Sequence, residues 1–319
     1  MQRSPRNKTI TLSGTEQRTY AERLLCLSSP AEASSLTDRM INQDLFAALP
    51  FLPSGFADLL IIDPPYNMDK KFNDQSFREM SASDYEAYVD SWMKPLLRTL
   101  KPHASVYVCG DWRSSTALFS VLSRYLIVRN RITWEREKGR GALSNWKNAS
   151  EDIWFCTVSD DYHFNVDAVK IRKRVVAPYV DAAGVPKDWE TDDHGAFRLT
   201  HPSNLWTDIT VPYWSMPENT EHPTQKPEKL IAKLILASSR PGDMVFDPFA
   251  GSGSTPVTAK KLGRHYCGIE IDSEYACITE KRLHAAGNDS RIQGYEDGIF
   301  YERNAAPNRG VKQHERSFL

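Results

Sequence analysis

A carboxylate, a rigid pair of prolines and an aromatic ring follow one another at Asp63, Pro64, Pro65 and Tyr66. Asp63 is the last residue of the apolar run 57–63, and the prolines stop this strand. The carboxyl end of a buried strand is where open α/β sheets bind ligands. An amino group that attacks an electrophile has two N–H bonds to place, and Asp63 and the Pro64 carbonyl can each accept one of these hydrogen bonds. Tyr66 offers a face on which a planar base can stack. The four residues therefore predict chemistry on a base amino group, although a capping Asp before a proline turn is the alternative.

A second candidate site is the glycine-rich segment 247–255, DPFAGSGST, which follows another apolar strand. Gly251 and Gly253 permit close approach of the backbone to a ligand, and the amides at a helix N-terminus favour an anionic group. The segment lacks the Gly-Lys-Ser/Thr of a phosphate-binding loop, and Pro256 replaces the third glycine of a dinucleotide fingerprint. Glu270, at the end of the next strand, can bind ribose hydroxyls, and a surface strand end is the alternative.

The hydrophobic pattern predicts the elements that must position these loops. Continuous apolar runs, typical of strands covered on both faces of a parallel sheet, occur at 57–63, 104–110, 127–134, 151–158, 243–247 and 265–272. Helical spacing predicts helices over 81–100 with Ser83 as N-cap, over 227–239 with Pro227 as first helical residue, and over 255–262. The order of strand, glycine-rich turn, helix and strand indicates a doubly wound α/β sheet.

Composition is that of an ordinary globular protein. The 319 residues carry a net charge of −1, so any nucleic-acid surface must come from local clusters of Lys and Arg. The five cysteines form no CxxC pair and the histidines show no zinc spacing, which predicts free buried thiols in a reducing cytosol and no metal site. Residues 1–20 lack the apolar run of a signal peptide, and no stretch is apolar enough to span a bilayer.

Changes in residue pattern divide the chain into five segments. We expect a loosely ordered N-terminal arm at 1–35, a catalytic half of the main domain at 36–159, an insertion at 160–215, a cofactor-binding half at 216–286 and a mobile tail at 287–319. The insertion mixes charged residues and scattered aromatics without a clear period. Since binding function concentrates in segments grafted on a rigid sheet, the insertion is a candidate for target recognition.

Four motifs together resemble those of the β-group amino-methylating DNA methyltransferases, which act on adenine N6 or cytosine N4. The motifs are DPPYN at 63–67, HPTQKP at 222–227, DPFAGSGST at 247–255 and GIEID at 268–272. The resemblance covers roughly residues 38–285 and is strongest to bacterial adenine-N6 enzymes. It implies a Rossmann-like sheet of seven strands, one of them antiparallel, that binds S-adenosylmethionine (AdoMet). It also implies that the substrate is double-stranded DNA whose target base is flipped out, because a stacked amino group cannot reach a buried cofactor.

The same resemblance assigns roles to individual residues. The implied catalytic loop is Asp63, Pro64, Pro65 and Tyr66. The implied cofactor-binding residues are Asp44, Thr224, Lys226, Asp247, Phe249, Ala250, Gly251, Ser252, Gly253, Ser254 and Glu270. Lys226 is expected to face the AdoMet carboxylate and Asp44 the cofactor adenine, with helix capping as the alternative for Asp44. His222 is expected to be a structural hydrogen-bonding residue rather than a base, because the proton can leave after methyl transfer.

Basic residues cluster in two segments that we expect to face DNA. They are Arg136, Lys138, Arg140 and Lys147, in a glycine-containing loop, and Arg172, Lys173 and Arg174, in the insertion. Either cluster can contact phosphates or guanine edges, and a solvated charged surface is the alternative for each residue. Trp146 and Trp189 are interpreted as core aromatics rather than stacking platforms.

Several functions share these motifs and stay open at this point. Enzymes that methylate cytosine N4 have the same fold and more often carry Ser where this chain has Asp63. RNA- and protein-amide-methylating relatives usually carry Asn there, and a catalytically inactive DNA-binding module is a third alternative, against which the complete cofactor loop argues. A separately acting cognate restriction endonuclease, a homodimer and a location in the bacterial cytosol or nucleoid, with no membrane contact, complete the expectations.

Overall fold

The computed structural model describes residues 4–72, 75–136, 144–175, 179–192 and 195–303. Its helices are α1 (Gly14–Ala21), α2 (Ala33–Leu36), α3 (Leu45–Ala48), α4 (Ala82–Leu96), α5 (Ser115–Tyr125), α6 (Glu228–Ser238), α7 (Ser254–Lys261) and α8 (Ser273–Ala286). Its strands are β1 (Arg39–Asn42), β2 (Ala57–Ile62), β3 (Lys70–Phe72), β4 (Gln75–Phe77), β5 (Leu100–Gly110), β6 (Ile127–Glu135), β7 (Ser150–Thr157), β8 (Ile171–Arg174), β9 (Glu190–Asp192), β10 (Gly195–Thr200), β11 (Leu205–Trp206), β12 (Met244–Asp247), β13 (His265–Glu270), β14 (Tyr295–Glu296) and β15 (Ile299–Tyr301).

The main sheet has eight strands in the order β1-β13-β12-β2-β5-β7-β6-β11. Neighbouring strands are parallel except at β7, which runs antiparallel to both β5 and β6. This confirms the expected doubly wound sheet of seven strands with one antiparallel strand, and the two-residue strand β11 extends it. Strands β2, β5, β12 and β13 all end at one edge of the sheet, here named the carboxyl edge, and the antiparallel strand β7 begins there.

The strand β2 illustrates why the central strands are largely apolar. All six of its residues are buried, and successive side chains alternate between two hydrophobic cores. Leu60 and Ile62 belong to the core that includes α4 and α5, whereas Leu59 and Ile61 belong to the core that includes α6 and α7. The continuous apolar run predicted at 57–63 is therefore a strand covered by helices on both faces.

Two helices begin at positions that differ slightly from those predicted. The N-cap of α4 is Ser81, whose hydroxyl accepts a hydrogen bond from the Asp84 amide at 3.1 Å, so the predicted cap, Ser83, lies inside the helix. Pro227 is the N-cap of α6 rather than its first helical residue. In both cases the cap is the residue whose backbone is still extended, and the helix begins directly after it.

The helix α6 is buried on every side, although its sequence predicts a single apolar face. The main sheet covers one side, and a second sheet, of order β14-β15-β8-β10-β9, covers the other. On the polar side of α6, Lys233 pairs with Asp208 at 2.8 Å, and Lys229 donates to the Asp208 carbonyl at 2.7 Å. These partners are needed because an unpaired buried ammonium is strongly destabilising.

Both ends of the described chain are more ordered than predicted. The N-terminal arm carries α1, where Glu16 pairs with Lys281 of α8 at 2.6 Å, and Ile10 forms a β-bridge to Thr220. The expected mobile tail instead contains β14 and β15, and Phe300 is completely buried against α6. The insertion supplies β8, β9 and β10 to the same second sheet. These strands have three to six residues, too few for a period to be recognised.

The cysteines and the apolar character of the helices are two features on which the composition led to an expectation. Four of the cysteines are buried free thiols, but Cys26 is exposed, contrary to the prediction that all are buried. Within the described ranges, no helix combines the length and the apolar character needed to cross a membrane.

Replacing Phe300 with Ala tests whether the second sheet is part of the cooperative fold. We expect the free energy of unfolding to fall by about 3–5 kcal/mol, because the substitution leaves a cavity between β15 and α6. Chemical denaturation measures the change. Leu199→Ala, at an exposed position of β10, is the control and should alter the free energy by less than about 1 kcal/mol. Equal stability of the two variants would show that the segment 295–301 does not pack on α6.

Candidate active site

A cavity of about 350 Å³ opens at the carboxyl edge, between the ends of β2, β12 and β13. All four residues of the predicted catalytic loop line it. The predicted cofactor residues that also line it are Asp44, Thr224, Lys226, Asp247, Phe249, Ala250, Gly251, Ser252, Ser254 and Glu270. The size is that of a small-molecule site. The fold thus brings the two predicted loops to one cavity from opposite halves of the chain.

Asp63 follows β2 directly and is held in place by hydrogen bonds to both carboxylate oxygens. Lys226 Nζ donates to each oxygen at 2.7 Å, and the Tyr66 hydroxyl donates to Oδ1 at 2.8 Å. From α4, the Tyr85 hydroxyl donates to the Pro65 carbonyl at 2.9 Å and fixes the rest of the loop. The carboxylate therefore has a defined position in the cavity wall, which an acceptor that must orient an amino group requires.

Lys226 lies in the cavity wall and contacts residues that the sequence did not predict as its partners. Its buried ammonium contacts Asp63, lies 3.0 Å from the Tyr66 hydroxyl and lies 3.3 Å from Glu151 Oε2. Burial alone lowers the pKa of Lys226, but the charges of Asp63 and Glu151 raise it above its ordinary value. Lys226 is therefore a cation at every physiological pH and belongs to the catalytic loop's hydrogen-bond network.

Glu151 is a candidate functional residue that the sequence did not single out. Its side chain is only 3% exposed, and its second oxygen, Oε1, pairs with Arg136. Burial acts to raise the pKa of Glu151, but Lys226 and Arg136 lower it below its ordinary value, so the carboxyl is ionised. The signal that identifies it is the antiparallel direction of β7, which brings the start of this strand to the carboxyl edge.

The two glycines of the cofactor loop are required for different reasons. Gly251 and Gly253 both have positive φ, +54° and +82°, a conformation that other residues rarely adopt. A Cβ on Gly253 would lie 2.4 Å from the Thr279 side chain of α8, so this glycine permits packing and does not line the cavity. A Cβ on Gly251 would lie 3.0 Å from the His222 ring, which itself borders the cavity.

Glu270 fixes the cofactor loop from the end of β13. Its Oε2 accepts a hydrogen bond from the Gly251 amide at 2.7 Å, and its Oε1 accepts one from the Asp272 amide at 2.8 Å. Burial raises the pKa of Glu270 to about 7. Burial likewise raises the pKa of Asp247, the last residue of β12, to about 7. A desolvated carboxylate in a cavity wall fits hydroxyl donors such as those of a ribose, because their hydrogen bonds stabilise its charge.

Asp44 and His222 complete the wall of the cavity. Asp44 caps α3 by accepting a hydrogen bond from the Ala47 amide at 3.2 Å, so the capping alternative is correct, and the residue lines the cavity as well. The His222 ring packs edge-on against Tyr275, with centroids 4.5 Å apart. Burial lowers the pKa of His222 to about 4, so its imidazole is neutral and cannot act as a base of pKa near 7.

The residues expected to contact DNA fall into four groups. Arg136 is part of the active-site network, Lys138 and Arg140 lie outside the described residues, and Lys147, Lys173 and Arg174 are exposed. Arg172 is half-buried, since it stacks on the Phe197 ring at 4.0 Å and pairs with Asp192 at 2.6 Å.

The two tryptophans predicted to be core residues also differ from each other. Trp146 is 96% exposed, which contradicts the core interpretation. It lies between β6 and β7, directly before Lys147. Trp189 is half-buried in the insertion, and its indole N–H donates to the Tyr179 carbonyl at 2.8 Å.

Known proteins resemble the chain over most of its length. Residues 57–281 match the model of the N6/N4 family described as DNA methylase. The type II methyltransferase M.HpaI of Haemophilus parainfluenzae is 29% identical over 86% of this chain and 81% of its own length. The DNA adenine methyltransferase YhdJ of Escherichia coli (strain K12) is 31% identical over 82% of this chain and 87% of its own length.

Solved structures share the fold at low sequence identity. The PvuII DNA methyltransferase, which is cytosine-N4-specific, superposes with a TM-score of 0.55 at 17% identity, over 79% of this chain and 92% of its own. A putative DNA modification methylase of Thermus thermophilus, solved in complex with S-adenosyl-L-methionine, superposes with a TM-score of 0.53 at 18% identity, over 84% of this chain and 99% of its own. At these identities the likeness establishes the fold alone.

The raised pKa of Glu270 predicts that AdoMet affinity depends on pH. Ribose hydroxyls favour the ionised carboxylate, whereas the free protein holds a proton on Glu270 up to about pH 7. Affinity should therefore rise about tenfold from about pH 6 to about pH 8, because binding releases that proton. Calorimetry measures it, with Glu270→Gln as the control, in which this rise should be absent. An equal rise in the variant would assign the pH dependence to another group, such as Asp247.

Proposed function

The chain belongs to the N6/N4 family of DNA methylases, and we propose that its reaction is methyl transfer from AdoMet to N6 of adenine in double-stranded DNA. The observation that carries the proposal is the shared cavity at the carboxyl edge. Asp63, an acceptor for an amino group, and Glu270, an acceptor for ribose hydroxyls, line the same cavity. A nucleophile and a methyl donor bound to these residues would meet inside one desolvated site.

The residues of the cavity supply orientation, charge and exclusion of water. AdoMet, when bound, supplies a methyl group on a sulfonium, which an uncharged amine can attack. Asp63 and the Pro64 carbonyl each accept a hydrogen bond from the amino group and direct the nitrogen lone pair, and Tyr66 stacks on the base. The cofactor loop and Glu270 hold the donor, and Phe249, which packs edge-on against Trp92 at 5.6 Å, closes the apolar side.

Adenine is favoured over cytosine by two observations. Asp63 occupies a position at which enzymes that methylate cytosine N4 more often carry Ser. Among the relatives, the E. coli protein named as a DNA adenine methyltransferase is 31% identical, whereas the likeness to the cytosine-N4-specific structure, at 17% identity, is one of fold. Cytosine N4 remains the alternative substrate, since the same acceptors suit either amino group.

For the DNA surface we propose the exposed residues Lys147, Lys173 and Arg174. The direction of β8 supports this choice. The neighbouring strand β15 runs parallel to β8 and pairs Tyr301 with Arg172. The Tyr301 carbonyl accepts a hydrogen bond from Lys229, in the first turn of α6, so this part of both strands lies near the start of that helix. Because Lys226, in the cavity wall, immediately precedes the cap of α6, the end of β8 points toward the carboxyl edge, where DNA must reach the cavity.

We also propose that the enzyme acts in the bacterial cytosol or nucleoid, where its DNA substrate lies. A separate cognate endonuclease and a homodimer remain predictions. Type II methyltransferases are among the similar proteins, which is compatible with a restriction partner encoded elsewhere.

Expression in bacteria that lack other DNA methyltransferases tests the proposed reaction. Long-read sequencing of their DNA should report N6-methyladenine at one recurring sequence context. The control variant Asp63→Ala should lower methylation at least about a hundredfold, because it removes a contact worth about 3 kcal/mol in the transition state, while AdoMet affinity changes little. Methylation of cytosine N4 would select the alternative, and full activity of the control would remove Asp63 from the mechanism.

Lys173→Ala tests the proposed DNA surface. Loss of a phosphate contact should weaken binding to the cognate and to a scrambled duplex equally, and should reduce the slope of log affinity against log salt by about 1. A salt series of equilibrium binding measures both quantities. Lys94→Ala, an exposed lysine on α4, is the matched control and should leave the slope unchanged. Identical curves for the two variants would locate the DNA surface elsewhere.

A further inference from the structure

The carboxylate that must bind the target amino group already accepts three hydrogen bonds from the protein's own donors. Lys226 donates to both oxygens of Asp63 at 2.7 Å, and Tyr66 adds a third donor at 2.8 Å. A carboxylate has about four acceptor positions, so an amino group that binds Asp63 competes with Lys226 and Tyr66 for its oxygens. Because Lys226 is 6% exposed, a displaced ammonium needs another partner within the protein.

Glu151 is placed to receive the displaced donors. Its Oε2 lies 3.3 Å from Lys226 Nζ and 3.3 Å from the Tyr66 hydroxyl, slightly longer than the contacts those groups make with Asp63. Its Oε1 is held by Arg136, which fixes the carboxylate plane so that Oε2 faces the catalytic loop. A small movement of Lys226 would therefore exchange one carboxylate for the other without exposing the charge.

We propose that Glu151 is a positioning residue for methyl transfer: it takes over Lys226 and the Tyr66 hydroxyl when the target amino group binds Asp63. This inference rests on the proposed function and adds a requirement to it. Glu151 does not touch the base or the cofactor, and it acts through Lys226 and Tyr66.

The charges around the site agree with this role. Two carboxylates, Asp63 and Glu151, face two cations, Lys226 and Arg136, so the network is neutral overall. The reaction brings a sulfonium to the site and develops positive charge on the attacking nitrogen. If Glu151 were neutral, the network would gain one positive charge, and Lys226 would bind Asp63 without competition.

The isosteric variant Glu151→Gln tests the proposal. Its turnover number at saturating DNA and AdoMet should fall about ten- to a hundredfold, because the amino group must compete with Lys226 for Asp63. AdoMet affinity by calorimetry should change less than about twofold, since Glu151 lies outside the cofactor contacts. Glu79→Gln is the matched control: it neutralises a surface carboxylate that pairs with Arg113 at 3.1 Å, and it should retain wild-type turnover.

A second substitution separates positioning from simple structural support. In Glu151→Gln/Lys226→Met the competing ammonium is gone, so turnover should recover at least about fivefold relative to Glu151→Gln alone. If Glu151 only supports Arg136 and the fold, removal of Lys226 cannot restore activity. If Glu151→Gln proves unstable to heat, Glu151→Asp replaces it, because the shorter side chain keeps the charge but withdraws the carboxylate from Lys226. Adding Lys226→Met to Glu151→Asp should then give the same recovery of turnover.

Wild-type turnover in Glu151→Gln, or further loss in the double variant, overturns the inference and leaves the proposed function intact. Absence of any base methylation by the wild-type enzyme overturns the proposed function itself. Measuring the wild-type enzyme in the same assay therefore distinguishes the two failures.

Discussion

The buried contact between Lys226 and Asp63 joins segments that lie 163 residues apart in the sequence. Asp63 directly follows the central strand β2, and Lys226 immediately precedes the cap of α6, so the contact fixes the catalytic loop against the second half of the chain. The Ser254 hydroxyl, at the start of α7, donates to the Lys226 carbonyl at 2.6 Å and ties the cofactor loop to the same point. Breaking a buried ion pair by removing one partner is costly, about 3–5 kcal/mol, because the other charge is left unpaired.

Strand direction determines which side chains can join this contact. Asp63, Asp247 and Glu270 lie at the carboxyl edge because each is at, or directly after, the end of a parallel strand. The first residues of a strand reach the same edge only if that strand is antiparallel. The strand β7 does so with Glu151, whose partner Arg136 follows the end of β6. The surroundings then differentiate the carboxylates: Lys226 and Arg136 lower the pKa of Glu151, whereas burial raises the pKa values of Asp247 and Glu270 to about 7. A ligand with hydroxyl donors can therefore change the charge state of the cofactor side.

Local patterns in the sequence predicted the parts of the molecule that local chemistry determines. The apolar runs at β2, β12 and β13 and the glycines at 251 and 253 identified the central strands and the cofactor loop. The partner of Lys226, the role of Glu151 and the second sheet escaped prediction, because each depends on pairing between distant segments. Phe300 is an example: its three-residue strand has no readable period, yet it is completely buried by β8 and α6.

In the proposed complex, the amino group of the target base binds Asp63 inside the cofactor cavity. The most direct test is a crystal structure of the protein with S-adenosylhomocysteine and a duplex that contains the methylated sequence context. We predict a flipped adenine whose N6 lies about 3 Å from the Asp63 carboxylate, with its ring stacked on Tyr66. A target base that remains stacked in the duplex, or an amino group bound away from Asp63, would contradict the account.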